Sequence, residues 1–141
     1  MILPDVNILV HGFRSDASHH AVCRKWLEGV FNGEGRFGLS PQVLSGLLRI
    51  TTHPKVFKQP SGLDEVVGFC EILLAQPHCQ IIQPGERHWW IFSRLCLEAE
   101  ARGNLVPDAW FAALAIESGC EWITLDRDYA RFPGLKWRVP S

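Results

Sequence analysis

Aspartates placed at the edges of apolar runs are the residues in this chain best suited to chemistry. Asp5 interrupts MILPDVNILV, Asp108 stands between NLVP and AWFAALAIES, and Asp126 closes EWITL with Asp128 two residues on. A carboxylate set into a buried segment is costly unless something compensates it. Taken singly, each of these acids reads as a helix N-cap, a role worth about 1 kcal/mol. Taken together they repel, and a cation is the simplest compensation. An all-oxygen donor set suits Mg2+ or Mn2+ with several retained waters. A divalent metal is therefore the partner expected for Asp5.

The elements that must bring these acids together alternate in type. Short apolar runs at Ile2–Pro4, Phe37–Leu39, Gln80–Gln83, Glu121–Leu125 and Lys136–Val139 read as strands. Between them lie helical patterns: a brief one from Val6, one over His19–Asn32 with Ser18 as its cap, and one opened by Ser40-Pro41 and running to Thr52. Further helices are expected over Leu63–Ala75 with Ser61 as cap and over Glu86–Arg102 ending at Gly103. The apolar DAWFAALAIES, closed by Gly119, suits a helix buried on most sides. DRDYARF allows about one turn. Strands alternating with helices predict an α/β, three-layer fold: a mostly parallel sheet of four to five strands with helices on both faces. In such a sheet, strand ends and the helix starts that follow share one edge, where ligands bind. Asp5, Asp108 and Asp126 should all fall on that edge.

Composition sets the frame. The 141 residues suit one domain, expected to span 1–141, and 47% hydrophobic against 21% charged residues excludes a disordered chain. No apolar run approaches the roughly 20 residues of a membrane span, and the start carries no signal-peptide pattern, so a cytoplasmic protein is expected. The cysteine count is odd, five, and no CxxC occurs, which argues against a disulfide framework or zinc site. The net charge of −1 does not announce a nucleic-acid binder. Basic residues nevertheless gather in the first 60 positions and in the tail.

Other motifs carry less. GEGRFG at 33–38 matches G-x-G-x-x-G in letters but follows a helix and enters a strand, the reverse of a dinucleotide site, so it reads as a turn. The six histidines lack ligand spacing. The spacing of Trp89, Phe92 and Cys96 favours a core or dimer face over base stacking.

Three stretches, PDVNILV, PDAWFAALAIESG and ITLDRDYARFPGLKW, together resemble the PIN domain, and more narrowly the VapC-type toxins of bacterial toxin–antitoxin pairs. SPQVLSGLLRITTHPKVF and RGNLVPDA fit the same pattern, so the likeness covers essentially the whole chain. The resemblance implies a PIN fold and a Mg2+- or Mn2+-dependent endoribonuclease, with tRNA or rRNA as substrate class. It also implies a homodimer and a small cognate antitoxin that blocks the site. Carried over by position, Asp5, Asp108 and Asp126 would be the metal-binding, catalytic acids. Asn7 falls where the family has a polar residue beside the first acid, and Asp128 is an outer acid or the cap of the last turn. One departure is notable. Where many PIN domains carry a helical Glu after strand two, this chain has Gly46, which favours one bound ion over two.

On this reading Asp5 and Asp108 hold the ion, and Asp126 binds through water or completes a second site. Arg14, Arg49 and Arg127 are candidate phosphate contacts, with ordinary surface arginine as the alternative for each. Two rival readings remain: a PIN module with weak or no cleavage, and an α/β phosphatase, although the latter would want an Asp where Asn7 stands.

Overall fold

The computed structural model describes residues 1–141 and contains the expected α/β architecture. Five short strands, β1 (Ile2–Pro4), β2 (Phe37–Leu39), β3 (Cys79–Ile81), β4 (Glu121–Ile123) and β5 (Trp137–Arg138), form one sheet in the order β3-β2-β1-β4-β5. Every pairing is parallel. Six α-helices connect them: α1 (Val6–Phe13), α2 (His20–Asn32), α3 (Pro41–Thr51), α4 (Leu63–Leu74), α5 (His88–Ala99) and α6 (Leu105–Ser118). A 3-10 turn, Arg127–Arg131, lies between β4 and β5.

The strand order dictates where the helices go. From β1 the chain steps outward to β2 and β3, then crosses back over the sheet to β4 and continues to β5. Right-handed crossovers place α1 to α4 on one face and α5 with α6 on the other. The direction of winding reverses between β1 and β4, and a crevice opens there beyond the strand ends. Pro4 pairs with Ile123 in register, and the Asp5 N–H donates to the Ile123 carbonyl at 2.8 Å. Asp5 and Thr124 are thus the first residues past the paired strands, side by side at the crevice.

The core is continuous under this edge. Leu3, Ile8, Leu9, Trp122 and Ile123 are fully buried, and α6 adds Ala109, Ala112, Ala113 and Ala115. Small alanines let a helix lie close to a sheet, consistent with a helix apolar on nearly all sides. The five cysteines are free, with Cys23, Cys70 and Cys120 in the core. No helix is long and apolar enough to cross a membrane.

Local differences from the sequence expectations have physical causes. Ser40 caps α3 as expected, accepting from the N–H groups of Gln42 and Val43 ahead of Pro41. Ser18 does not cap α2; the helix starts at His20, after a turn in which the His20 N–H reaches the Ala17 carbonyl. Ser61 is drawn away from α4 by Arg14, which donates to its Oγ at 2.9 Å, and Gly62 precedes the helix instead. α5 stops at Ala99, where Glu100 takes a left-handed conformation (φ 50°) and returns its N–H to the Cys96 and Leu97 carbonyls. α6 begins at Leu105, so Pro107 occupies the first turn, where a missing N–H costs no helical bond. Trp89 and Trp90 are 61% and 71% exposed, which removes them from the core.

Candidate active site

The crevice holds a cavity of about 650 Å³ lined by Asp5, Asn7, Asp108, Asp126, Arg49 and Tyr129 among others. The three aspartates lie at the end of β1, in the first turn of α6 and just past β4. Residues separated by more than a hundred positions are thus brought to one space.

Asp5 is the most constrained of them. It caps α1, with Oδ1 accepting from the Val6 N–H at 2.6 Å. Its Oδ2 accepts from the Thr124 hydroxyl at 2.7 Å and from Asn7 Nδ2 at 3.2 Å. Asp5 is 6% exposed, and burial pushes its carboxyl up to about 6 despite the Thr124 and Val6 bonds; the charges of Asp108 and Asp126 add to the rise. The carboxyl of Asp108 is also raised, first by burial and then by Asp126. Tyr129 donates to Asp108 Oδ1 at 3.3 Å, and burial among these acids holds the phenol protonated. Asp126 caps the 3-10 turn by accepting from the Asp128 N–H at 2.9 Å.

The capping role and the cavity role therefore coincide at Asp5 and Asp126. The cap of the last turn is Asp126 and not Asp128, because the chain turns immediately after β4. Asp128 lies inside that turn and lines a neighbouring hollow with Asp108, Asp126 and Arg131.

Thr124 and Tyr129 were not singled out in the sequence. Thr124 is fully buried and is the hub of the network. Its Oγ1 donates to Asp5 and accepts from Asn7 Nδ2 at 3.3 Å and from the Asp126 N–H at 3.0 Å. Asn7 completes the lattice by accepting from the Leu125 N–H at 3.1 Å. A polar residue at the end of an otherwise apolar strand, two positions before Asp126, was the available signal for Thr124. Replacing Thr124 with Val is expected to lower stability by ~1–3 kcal/mol, because three hydrogen bonds lose their common atom. Urea denaturation measures the loss.

The three arginines differ in position. Arg49, on the last turn of α3, lines the cavity and makes no ion pair within the chain. Arg14 lies outside it. Its guanidinium pairs with Asp16 at 2.7 Å, donates to the Gln59 carbonyl and Ser61 and covers the Phe57 ring, a structural staple that favours the ordinary-arginine reading of Arg14 over the phosphate contact. Arg127 is exposed on the 3-10 turn and is not among the residues lining the cavity.

Gly46 faces α1. A Cβ there would come within 3.0 Å of Val6 Cγ2, so close helix contact accounts for the glycine. Gly46→Ala is expected to destabilise the protein by ~1 kcal/mol, overpacking against Val6 outweighing the gain in helix propensity. The same change in a Val6→Ala background should stabilise it, and a double-mutant cycle in urea reads the difference.

The donor set fits a hard divalent cation: three carboxylates, oxygen throughout, two of them raised by burial and mutual repulsion in the chain alone. The cage is looser than the sequence led us to expect. No three His, Cys, Asp or Glu side chains are gathered tightly enough to grip an ion unaided. Each carboxylate is instead turned toward its own partner: Thr124 and Val6, Tyr129, or the Asp128 N–H.

The PIN domain family model matches residues 2–135. The VapC ribonuclease Mb2897 of Mycobacterium bovis is 39% identical over 140 residues, covering 99% of this chain and 95% of that protein. Ribonuclease VapC25 of Mycobacterium tuberculosis is 38% identical over 136 residues, 96% of each. Among solved structures, VapBC2 of Rickettsia felis bound to a promoter DNA fragment superposes with a TM-score of 0.72 at 20% identity, covering 100% of both chains. VapC20 of Mycobacterium tuberculosis, described as a Sarcin-Ricin loop cleaving toxin, gives 0.65 at 13% identity over 96% of this chain and 99% of that one. These two carry the fold. The chain belongs to the PIN-domain family and, within it, to the VapC ribonucleases.

Proposed function

We propose that this VapC-family endoribonuclease cleaves RNA with a divalent cation, Mg2+ or Mn2+, held by Asp5 and Asp108, with Asp126 binding directly or through water. The observation that carries the proposal is the convergence of these three acids on one cavity at the reversal between β1 and β4. When bound, such an ion acidifies water and offsets charge on a phosphate.

The chain's own residues do the rest. Thr124, Asn7 and the Val6 N–H fix the Asp5 carboxylate, and Tyr129 fixes Asp108. Arg49 brings positive charge to the same cavity, suited to a phosphate oxygen. The carboxylates supply acceptors for the proton that water gives up.

The reading extends to a cognate antitoxin that covers the site, a homodimer, tRNA or rRNA as substrate class, a cytoplasmic location and one PIN domain over 1–141. VapBC complexes among the structural neighbours support the antitoxin. The purified protein incubated with total RNA should cleave it in Mg2+ or Mn2+ and not in EDTA. Cleavage that survives EDTA, or hydrolysis of a generic phosphomonoester in place of RNA, would overturn the proposal.

A further inference from the structure

The carboxylate cavity is also lined by polar residues that the proposed reaction does not use, His11 among them. His11, near the end of α1, lines it beside Ala17 and Ser18. Its Nδ1 accepts a hydrogen bond from the His19 backbone N–H at 3.0 Å. A backbone amide can only donate, so Nδ1 carries no proton and the neutral ring holds its proton on Nε2. That Nε2 has no acceptor within the chain and is not a buried orphan, so its N–H is free to meet a ligand.

The surroundings hold the ring in this form. The His19 ring lies 5.2 Å away, and His20 Nδ1 bonds the His11 carbonyl at 2.8 Å, which ties the turn after α1 to the end of that helix. Protonating His11 would set an Nδ1–H against the His19 amide. Partial burial and the neighbouring His19 also keep the imidazole below its ordinary value.

We propose that His11 is a substrate-contacting residue whose Nε2–H donates to an oxygen of the RNA backbone in this cavity. The inference rests on the ribonuclease reading of the site. His11 lies six positions after Asp5, about 9 Å along the helix axis. That distance suits an oxygen flanking the scissile phosphate, with the scissile phosphate itself left to the carboxylates. A neutral donor positions the strand without releasing counterions, in contrast to Arg49.

Two substitutions separate the ring's two nitrogens. Asn places its side-chain oxygen where Nδ1 lies, keeping the bond to the His19 amide but removing the outer donor. Gln places an amide nitrogen where Nε2 lies. Single-turnover cleavage of total RNA in Mn2+, with protein in excess over a range of concentrations, separates half-saturation from limiting rate. His11→Asn should raise the half-saturating concentration about tenfold with an unchanged melting temperature, and His11→Gln should recover most of the loss. The salt dependence of half-saturation should be unchanged in His11→Asn and fall by about one unit of slope in Arg49→Gln. Wild-type saturation in His11→Asn overturns the inference, as does a Gln variant as impaired as a stable Asn variant. The unsubstituted protein offers an independent reading by imidazole 15N spectroscopy. The His11 Nε2 resonance should move when RNA is added in Ca2+, and a stationary resonance overturns the inference. If the wild type cleaves no RNA at all, the ribonuclease reading falls and this inference with it.

Discussion

Replacing Asp108 with Asn is expected to slow RNA cleavage at least about 100-fold while leaving the fold intact, since even outer partners of metal ligands are worth 10–100-fold. The side chain stands in the first turn of α6, beside Asp126 in the crevice and fixed by Tyr129. Asn retains an oxygen for the Tyr129 hydroxyl, so the α6 contact survives. It removes a carboxylate that burial and the nearby charges of Asp126 and Asp128 hold above its ordinary value. A melting temperature equal to or above that of wild type, together with lost cleavage of total RNA, is the expected pair of results. Near-normal cleavage would remove Asp108 from the site.

Asp5→Asn should separate stability from activity still more clearly. The Asp5 carboxyl is pushed up to about 6 in the folded protein from an ordinary 3.8. In the unfolded chain it ionises near the ordinary value, so at pH above about 6 its ionisation favours unfolding. That penalty shrinks as pH falls through 6 and is gone below the ordinary carboxylate range. The rise from 3.8 to about 6 corresponds to ~3 kcal/mol, from which Asn gives back the Thr124 and Asn7 bonds to Oδ2, ~1 kcal/mol each. Without metal, Asp5→Asn should therefore melt several degrees above wild type at pH 7.5, with the gap closing toward pH 4. Comparing the two proteins cancels the opposing contribution of His11, which both share. Mn2+ should raise the melting temperature of the wild type and leave that of Asp5→Asn nearly unmoved. Differential scanning calorimetry across pH, with and without Mn2+, measures all of these. A variant less stable than wild type at every pH would contradict the burial penalty assigned to Asp5.

What could be read from the sequence follows from how local each signal is. Ser40-Pro41 marks a helix start by itself, and α3 begins there. Asp5, Asp108 and Asp126 were legible because strand ends and helix starts in a parallel sheet share an edge, so topology alone placed them together. Thr124 and Tyr129 are different. Their importance lies in bonds to Asp5 and Asp108, 119 and 21 residues away; Thr124 offers only its polarity at the end of an apolar strand, and Tyr129 has no local pattern that announces it. Arg14, for which the sequence leaves a phosphate contact and an ordinary arginine both open, is decided by distant partners too: Asp16, Gln59, Ser61 and Phe57 claim it, and most of them come from a distant loop. Gly103 marks a helix end in the sequence, but α5 ends at Ala99 because Glu100, which carries no such signal, takes the left-handed position. Gly46 could be read as a departure from the family pattern, but only the contact with Val6 explains it.

A crystal of the protein soaked in Mn2+ and measured at the manganese absorption edge tests the metal assignment most directly. One anomalous peak is expected in the crevice, coordinated by carboxylate oxygens of Asp5 and Asp108, with Asp126 bound directly or through one water. A crevice free of manganese at concentrations that support RNA cleavage, or an ion held only by residues outside it, would show that Asp5 and Asp108 do not hold the metal.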